Sequence, residues 1–232
     1  MPRYIEELVN QQARRSELAR QRAIENGRPH VNPVITISRR MGSGARIVAA
    51  RLAEDLGWSL WDKELLDAMA EHSHFSHRVV EAFDEKAISE IEVFARAALG
   101  DHQLGGFICA THLAKAVAAI AKLGNAIILG RGANFLLPNA LNVRIDADDQ
   151  RRIDNMMNYE NLTRQEAKAR IRASDRERAH FLHTVFSKER VESFHYDITL
   201  WMDKFAPPDA AEIIKTALCA WKDRCGDREE AI

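Results

Sequence analysis

The chain has 232 residues, 46% of them hydrophobic, and its 33 Lys and Arg nearly cancel its 34 Asp and Glu. That length suits one domain with an insertion or two, and the charge balance gives no bulk attraction to a nucleic-acid polymer or an anionic membrane, so any anion site has to be local. Cys109, Cys219 and Cys225 are odd in number and form no CxxC pair, against a disulfide framework or zinc knuckle, and no stretch reaches the roughly 18 apolar residues of a membrane span, so a cytoplasmic location is expected.

Residues 4–26 place Ile5, Leu8, Val9, Ala13, Leu18 and Ala23 at helical spacing among Arg, Glu and Gln, ending at Gly27. Residues 1–30 therefore read as an amphipathic helical extension, available equally to cap the domain or to pack on a second copy as a homodimer. After Pro33 the pattern changes. VITIS is a short β-branched run, the chain then turns at Gly42-Ser43-Gly44, and Ile47, Val48, Leu52 and Leu56 trace a helix closed by Gly57. Trp58 to Trp61 reads as a second strand, with Asp62 as the N-cap of the next helix. Residues 74–123 carry only helical patterns, broken around Gly100 and Gly105-Gly106, as expected of a substrate-binding insertion.

Residues 126–132 and 141–147 are two further buried-strand candidates. From Asp148 the chain is helical and charged, and Thr163-Arg164-Gln165-Glu166 matches a capping box opening the segment 163–190. A last strand at 197–203 precedes Pro207-Pro208 and a closing helix 209–222 capped by Asp209, and 223–232 reads as a tail. Strands alternating with helices predict a three-layer α/β/α domain over 31–222 with a parallel five-stranded sheet.

In such a sheet the ligand crevice lies at the carboxyl ends of the strands, where a glycine turn entering a helix presents backbone N–H groups to an anion. Ser38, Arg39, Arg40, Met41, Gly42, Ser43, Gly44, Ala45 and Arg46 occupy that place. The pattern departs from GxxxxGK[ST], which would put Gly at 39, Lys at 45 and Ser or Thr at 46. Arg39, Arg40 and Arg46 are candidates to replace the missing charge, because guanidinium pairs bidentately with phosphate; three solvated arginines are the plainer alternative. His72, His74, His77, His180, His183 and His195 have no acidic or cysteine partner at ligand spacing and are read as solvated or core residues, so no protein metal site is expected. Ser38, Ser43 and Asp62 are the nearest candidates for indirect magnesium contacts.

The block ITISRRMGSGARIVAARLAEDLGWSLWDKELL, together with IILGRGANFLLP, LNVRIDADDQRRI and LTRQEAKARIRASDRERAHFL, resembles the cytidylate kinase-like family of P-loop proteins, similar to bacterial CMP kinases. The resemblance covers most of residues 34–215 and is weakest in the helical insertion. It implies a P-loop NTPase-like fold, ATP and Mg2+ as cofactors, nucleotide substrates, and wrapping of the ATP phosphates by residues 38–46. It also implies that Arg131 is aimed at the acceptor phosphate, that Asp62 and Lys63 lie by the acceptor, and that Arg172, Arg176 and Arg178 close over the transferring phosphoryl group with Asp175 orienting one of them. Arginines converging from turn, strand end and lid suit phosphoryl transfer, which needs positioning and charge neutralisation. Part of the lid set, interleaved with Glu166, Asp175 and Glu177, equally fits an ion-paired helix surface.

The resemblance implies transfer of the ATP γ-phosphoryl group to a CMP- or dCMP-like nucleoside monophosphate. Leu129, where CMP kinases carry an acidic residue, and Ala45 depart from that pattern. A nucleotide-binding regulator without turnover, and a phosphotransferase for a small alcohol using Asp62 as base, are the alternatives.

Overall fold

The structure is a computed structural model and describes residues 2–27, 32–71, 85–99 and 107–229. In chain order the elements are α1 Pro2–Glu25, β1 Val34–Arg39, α2 Ala45–Leu56, β2 Ser59–Trp61, α3 Lys63–Glu71, α4 Glu85–Leu99, α5 Phe107–Leu123 and β3 Ala126–Leu129. There follow α6 Ala133–Leu136, β4 Leu141–Asp146, α7 Asp149–Glu160, α8 Arg164–Val185, α9 Lys188–Ser193, β5 Ile198–Trp201 and α10 Pro207–Glu229.

The five strands form one sheet in the order β2-β3-β1-β4-β5, with every neighbouring pair parallel. The central strands are buried at most positions because helices cover both faces. Alternate residues divide between two cores. Ile35, Ile37, Ile127, Leu129, Val143 and Ile145 pack under α2 and α10 with Val48, Leu52, Ile214 and Leu218. Val34, Ala126 and Ile128 face the other way, toward α1, α3, α5 and α6, with Trp61, Leu66, Ile120 and Phe135. The expected three-layer parallel fold with its helical insertion and N-terminal helix is what forms; the insertion contributes α4 and α5, and His72, His74 and His77 lie outside the described residues.

The helix ends follow local chemistry. Gly57 closes α2 in the left-handed region, the Leu65 N–H donates to Asp62 Oδ1 at 3.2 Å to cap α3, and Thr163 and Glu166 form the reciprocal capping box of α8. Boundaries differ from expectation at β3, which stops at Leu129 rather than running to 132, and at both ends of α10. Asp209 lies inside the first turn of α10, where its carboxylate accepts from the Ala206 N–H, and the helix continues through 223–229 rather than ending as a tail. Trp221 packs on the core under α2 and Lys222 lies over the Trp58 ring, which carries the helix past residue 222.

The apolar stripe of α1 is inside the domain. Ile5 and Val9 join the core, and Gln12, fully buried, donates to the carbonyls of Ile120 and Gly124 at 3.1 and 2.7 Å while accepting from Trp61 Nε1 at 2.9 Å. The helix thus caps the β2 side of the fold.

Candidate functional site

At the carboxyl end of β1 the chain turns through residues 40–44 into α2. Gly42 and Gly44 take φ of 80° and 82°, a conformation glycine adopts without steric penalty. At Gly42 the need is also spatial: a Cβ there would stand 2.6 Å from the Arg152 carbonyl oxygen. Two side chains of α7 hold the turn from behind. Arg152 Nε donates to the Met41 carbonyl at 2.7 Å, and Asn155 Nδ2 donates to the Gly42 carbonyl at 2.8 Å. Carbonyls tied back in this way keep their negative ends off an approaching phosphate. Ser43 is 1% exposed, and its hydroxyl has no partner.

The turn forms one wall of a cavity of about 510 Å3. The segment 130–132 forms a second wall. Gly130, Arg131 and Gly132 have φ of 88°, 52° and 67°, three successive left-handed residues that end β3 abruptly. A Cβ on Gly132 would meet the Phe186 ring at 2.4 Å. Arg131 projects into the cavity under the Phe181 ring, 4.7 Å from its centroid, and pairs with Asp67 of α3; its Nε, buried, has no partner. The third wall is α8, which presents Arg170, Ala173, Ser174, Glu177, Arg178, Phe181 and Leu182 at a spacing of three and four residues.

This phase corrects the lid assignment. Arg172 and Arg176 fall on the opposite side of α8, exposed and off the cavity, because a turn of 3.6 residues cannot aim 172, 176 and 178 in one direction. Of the three arginines expected to form a lid, Arg178 lines the cavity. Its guanidinium donates to the Arg39 main-chain carbonyl, and burial, with Arg39 beside it, pushes its pKa down to about 10. Burial likewise lowers Arg39, with the nearby Glu64 carboxylate opposing the shift.

Other predicted site residues have structural partners. Asp175 does not line the cavity: both its oxygens accept from Arg152 Nη2, at 2.8 and 2.7 Å, so it orients a buried arginine behind the turn rather than a lid arginine. Asp62 also stands off the cavity, capping α3 and pairing with Arg46 at 3.1 Å. Arg40 lines the cavity while bound to Asp146 at 2.6 Å, to Asp149 at 3.3 Å and to the Ala147 carbonyl at 3.0 Å. Lys63 lines it and is tied across its mouth to Glu177 at 2.7 Å. Ser38, Met41, Ala45 and Arg46 line it, and the Tyr196 hydroxyl donates to that of Ser38 at 3.1 Å.

The model of the cytidylate kinase-like family matches residues 34–204, from the first residue of β1 past the end of β5. The chain belongs to this family. No curated protein matches it. Among solved structures it is similar to an uncharacterized protein from Eubacterium ventriosum, at 22% identity over 80% of this chain and 98% of that one, with a TM-score of 0.50. A shikimate kinase from Bacteroides thetaiotaomicron matches at 14% identity, 80% and 98% coverage and a TM-score of 0.43. The cytidylate kinase-like match takes in all three walls of the cavity and leaves α1 and α10 outside it.

Several residues of this cytidylate kinase-like site were not evident in the sequence. Arg152 stands beside Arg151 in a charged helix, and nothing local distinguishes the fully buried arginine from the exposed one. Asn134, 4% exposed, lines the cavity with its amide nitrogen unpartnered; it stands two residues after the Gly-Arg-Gly turn, and that position was its signal. Glu64, Tyr159 and Phe181 also line the cavity. The helical phase of 170, 174, 178 and 181 would have found Phe181 and selected Arg178.

Proposed function

We propose that this chain transfers the γ-phosphoryl group of ATP to a nucleoside monophosphate of the CMP or dCMP type. The supporting observation is the convergence on one cavity of a glycine turn, a strand-end arginine at 131 and a lid arginine at 178. Fixed cations around a phosphoryl group stabilise the charge on its equatorial oxygens without reorganisation. The acceptor's phosphate oxygen forms the new P–O bond while the bond to the bridging oxygen of ADP breaks and its electron pair leaves with ADP. No proton has to be abstracted from an ionised acceptor, so this reading asks for no general base.

In this reading Arg131 gives up Asp67 for the acceptor phosphate, and Lys63 exchanges Glu177 for ligand charge as α8 closes. Among the described residues no three of His, Cys, Asp and Glu form a metal-binding group. The unpartnered Ser43 hydroxyl and the Glu64 carboxylate nonetheless fit Mg2+ held mainly by the nucleotide's own phosphates, the usual mode for this ion. Bound there, Mg2+ would supply neutralisation of the β- and γ-oxygens.

The test is formation of ADP by the purified chain with ATP, magnesium and a panel of nucleoside monophosphates. CMP or dCMP is expected to give the highest kcat/KM. Measurable ATP binding with no turnover on any member would overturn the proposal in favour of a nucleotide-binding regulator.

A further inference from the structure

The turn lacks the lysine of a standard phosphate cradle, since position 45 is alanine, and three arginines flank it. The structure separates the three. Arg40 is committed to Asp146, Asp149 and the Ala147 carbonyl. Arg46 is 70% exposed in its side chain and paired with Asp62. Arg39 is different. It ends β1, lines the cavity, and among the described residues its guanidinium makes no hydrogen bond or ion pair.

Arg39 also has another cation for a neighbour. Arg178 reaches from α8 to the main-chain carbonyl of Arg39, and that is its sole hydrogen bond among the described residues. Glu64 and Asp62 act on Arg39, and Asp175 on Arg178, only at a distance, because none pairs with either guanidinium. Gly130 keeps the space beside Arg39 open: a Cβ there would lie 3.3 Å from its Nη1. Burial lowers the pKa of both arginines, and the Arg39 charge lowers that of Arg178 further. Two substantially desolvated like charges without a carboxylate between them repel, and an anion placed between them removes that penalty. The other cations of the cavity differ in this respect: Arg131, Lys63, Arg40, Arg46 and Arg170 already have carboxylates, which a ligand must displace.

We propose that Arg39 is the residue that stands in for the missing cradle lysine, and that with Arg178 it clamps the terminal phosphoryl group of a nucleoside triphosphate. Arg39 provides the half fixed to the sheet and Arg178 the half carried by α8, so the phosphoryl group itself joins α8 to the cradle. The proposal deepens the phosphotransfer reading, but its central claim concerns polyphosphate binding and can be tested without turnover.

The probe is inorganic tripolyphosphate, titrated into the full chain by calorimetry. Arg39→Gln and Arg178→Gln are each expected to weaken binding at least tenfold, and the double variant to lose clearly less than the product of the two single losses, because the pair acts as a unit. Arg20→Gln, which removes one exposed charge from α1, controls for net charge and is expected to change affinity less than twofold. Thermal unfolding separates a ligand from a structural role: Arg39→Gln is expected to melt at or above the wild-type temperature, since it relieves repulsion. Wild-type tripolyphosphate affinity in Arg39→Gln, or a marked drop in melting temperature that accounts for its loss, would overturn the proposal. If wild type binds tripolyphosphate through Arg39 yet turns over no nucleotide, the clamp stands and the phosphotransfer reading falls.

Discussion

Gly42 and Gly44 have nearly the same φ, 80° and 82°, and are two residues apart, yet their surroundings differ. A methyl group on Gly44 meets nothing within 4 Å, so Gly44→Ala carries only the left-handed strain, roughly 1–2 kcal/mol. A methyl group on Gly42 carries the same strain and stands 2.6 Å from the Arg152 carbonyl oxygen and 3.1 Å from its carbon. Those are main-chain atoms of α7, held there by the helix, so no rotamer change relieves the clash. Adding an overpacking term of about 1–3 kcal/mol brings Gly42→Ala to about 2–5 kcal/mol. Urea unfolding followed by circular dichroism measures both, and tripolyphosphate titration shows whether the turn has moved off its binding geometry. Gly42→Ala should unfold at the lower midpoint and bind the anion much more weakly, whereas Gly44→Ala keeps most of its affinity. Equal midpoints, or a larger loss at Gly44, would refute the idea that α7 sets the position of the turn.

Asp175→Asn should destabilise by about 1–3 kcal/mol, because the fully buried Arg152 loses one of its two carboxylates, while Arg172→Gln and Arg176→Gln on the far side of α8 should stay within about 0.5 kcal/mol by the same unfolding assay. Arg178, with a pKa of about 10 in the free protein, binds an anion in its charged form, so tripolyphosphate affinity should hold from pH 7 to pH 9 and decline as pH rises through about 10. Arg178→Gln should lack that component of the decline, and identical profiles in the two proteins would count against the assignment. Gln12→Leu leaves the Trp61 N–H and two main-chain carbonyls without their partner and should cost about 1–3 kcal/mol, with faster proteolysis within α1 and unchanged tripolyphosphate affinity, since α1 contributes nothing to the cavity wall.

The fold was legible in the sequence because its signals are local. VITIS, AIIL and LNVRI are segments of strand length rich in Val, Ile and Leu, each soon followed by a turn or a helix start, which is how buried parallel strands are marked. Gly57, Asp62 and Thr163 mark helix ends through chemistry that acts over three or four residues. The glycine turn was readable for the same reason, since Gly42 and Gly44 permit a left-handed backbone directly after a strand-length run. Which arginines matter was not readable. Arg39, Arg40 and Arg46 are equivalent as letters, and only the arrival of Asp146 from β4 and Asp62 from before α3 occupies two of them and leaves the third. Arg172 and Arg178 likewise differ only in which side of α8 meets the cradle, and Arg151 and Arg152 only in which side of α7 does. The sequence by itself determined that a glycine turn lacking the usual lysine would stand at the end of β1. Tertiary structure alone decided which of the nearby arginines is left without a carboxylate, because that depends on carboxylates distant in the chain and close in space.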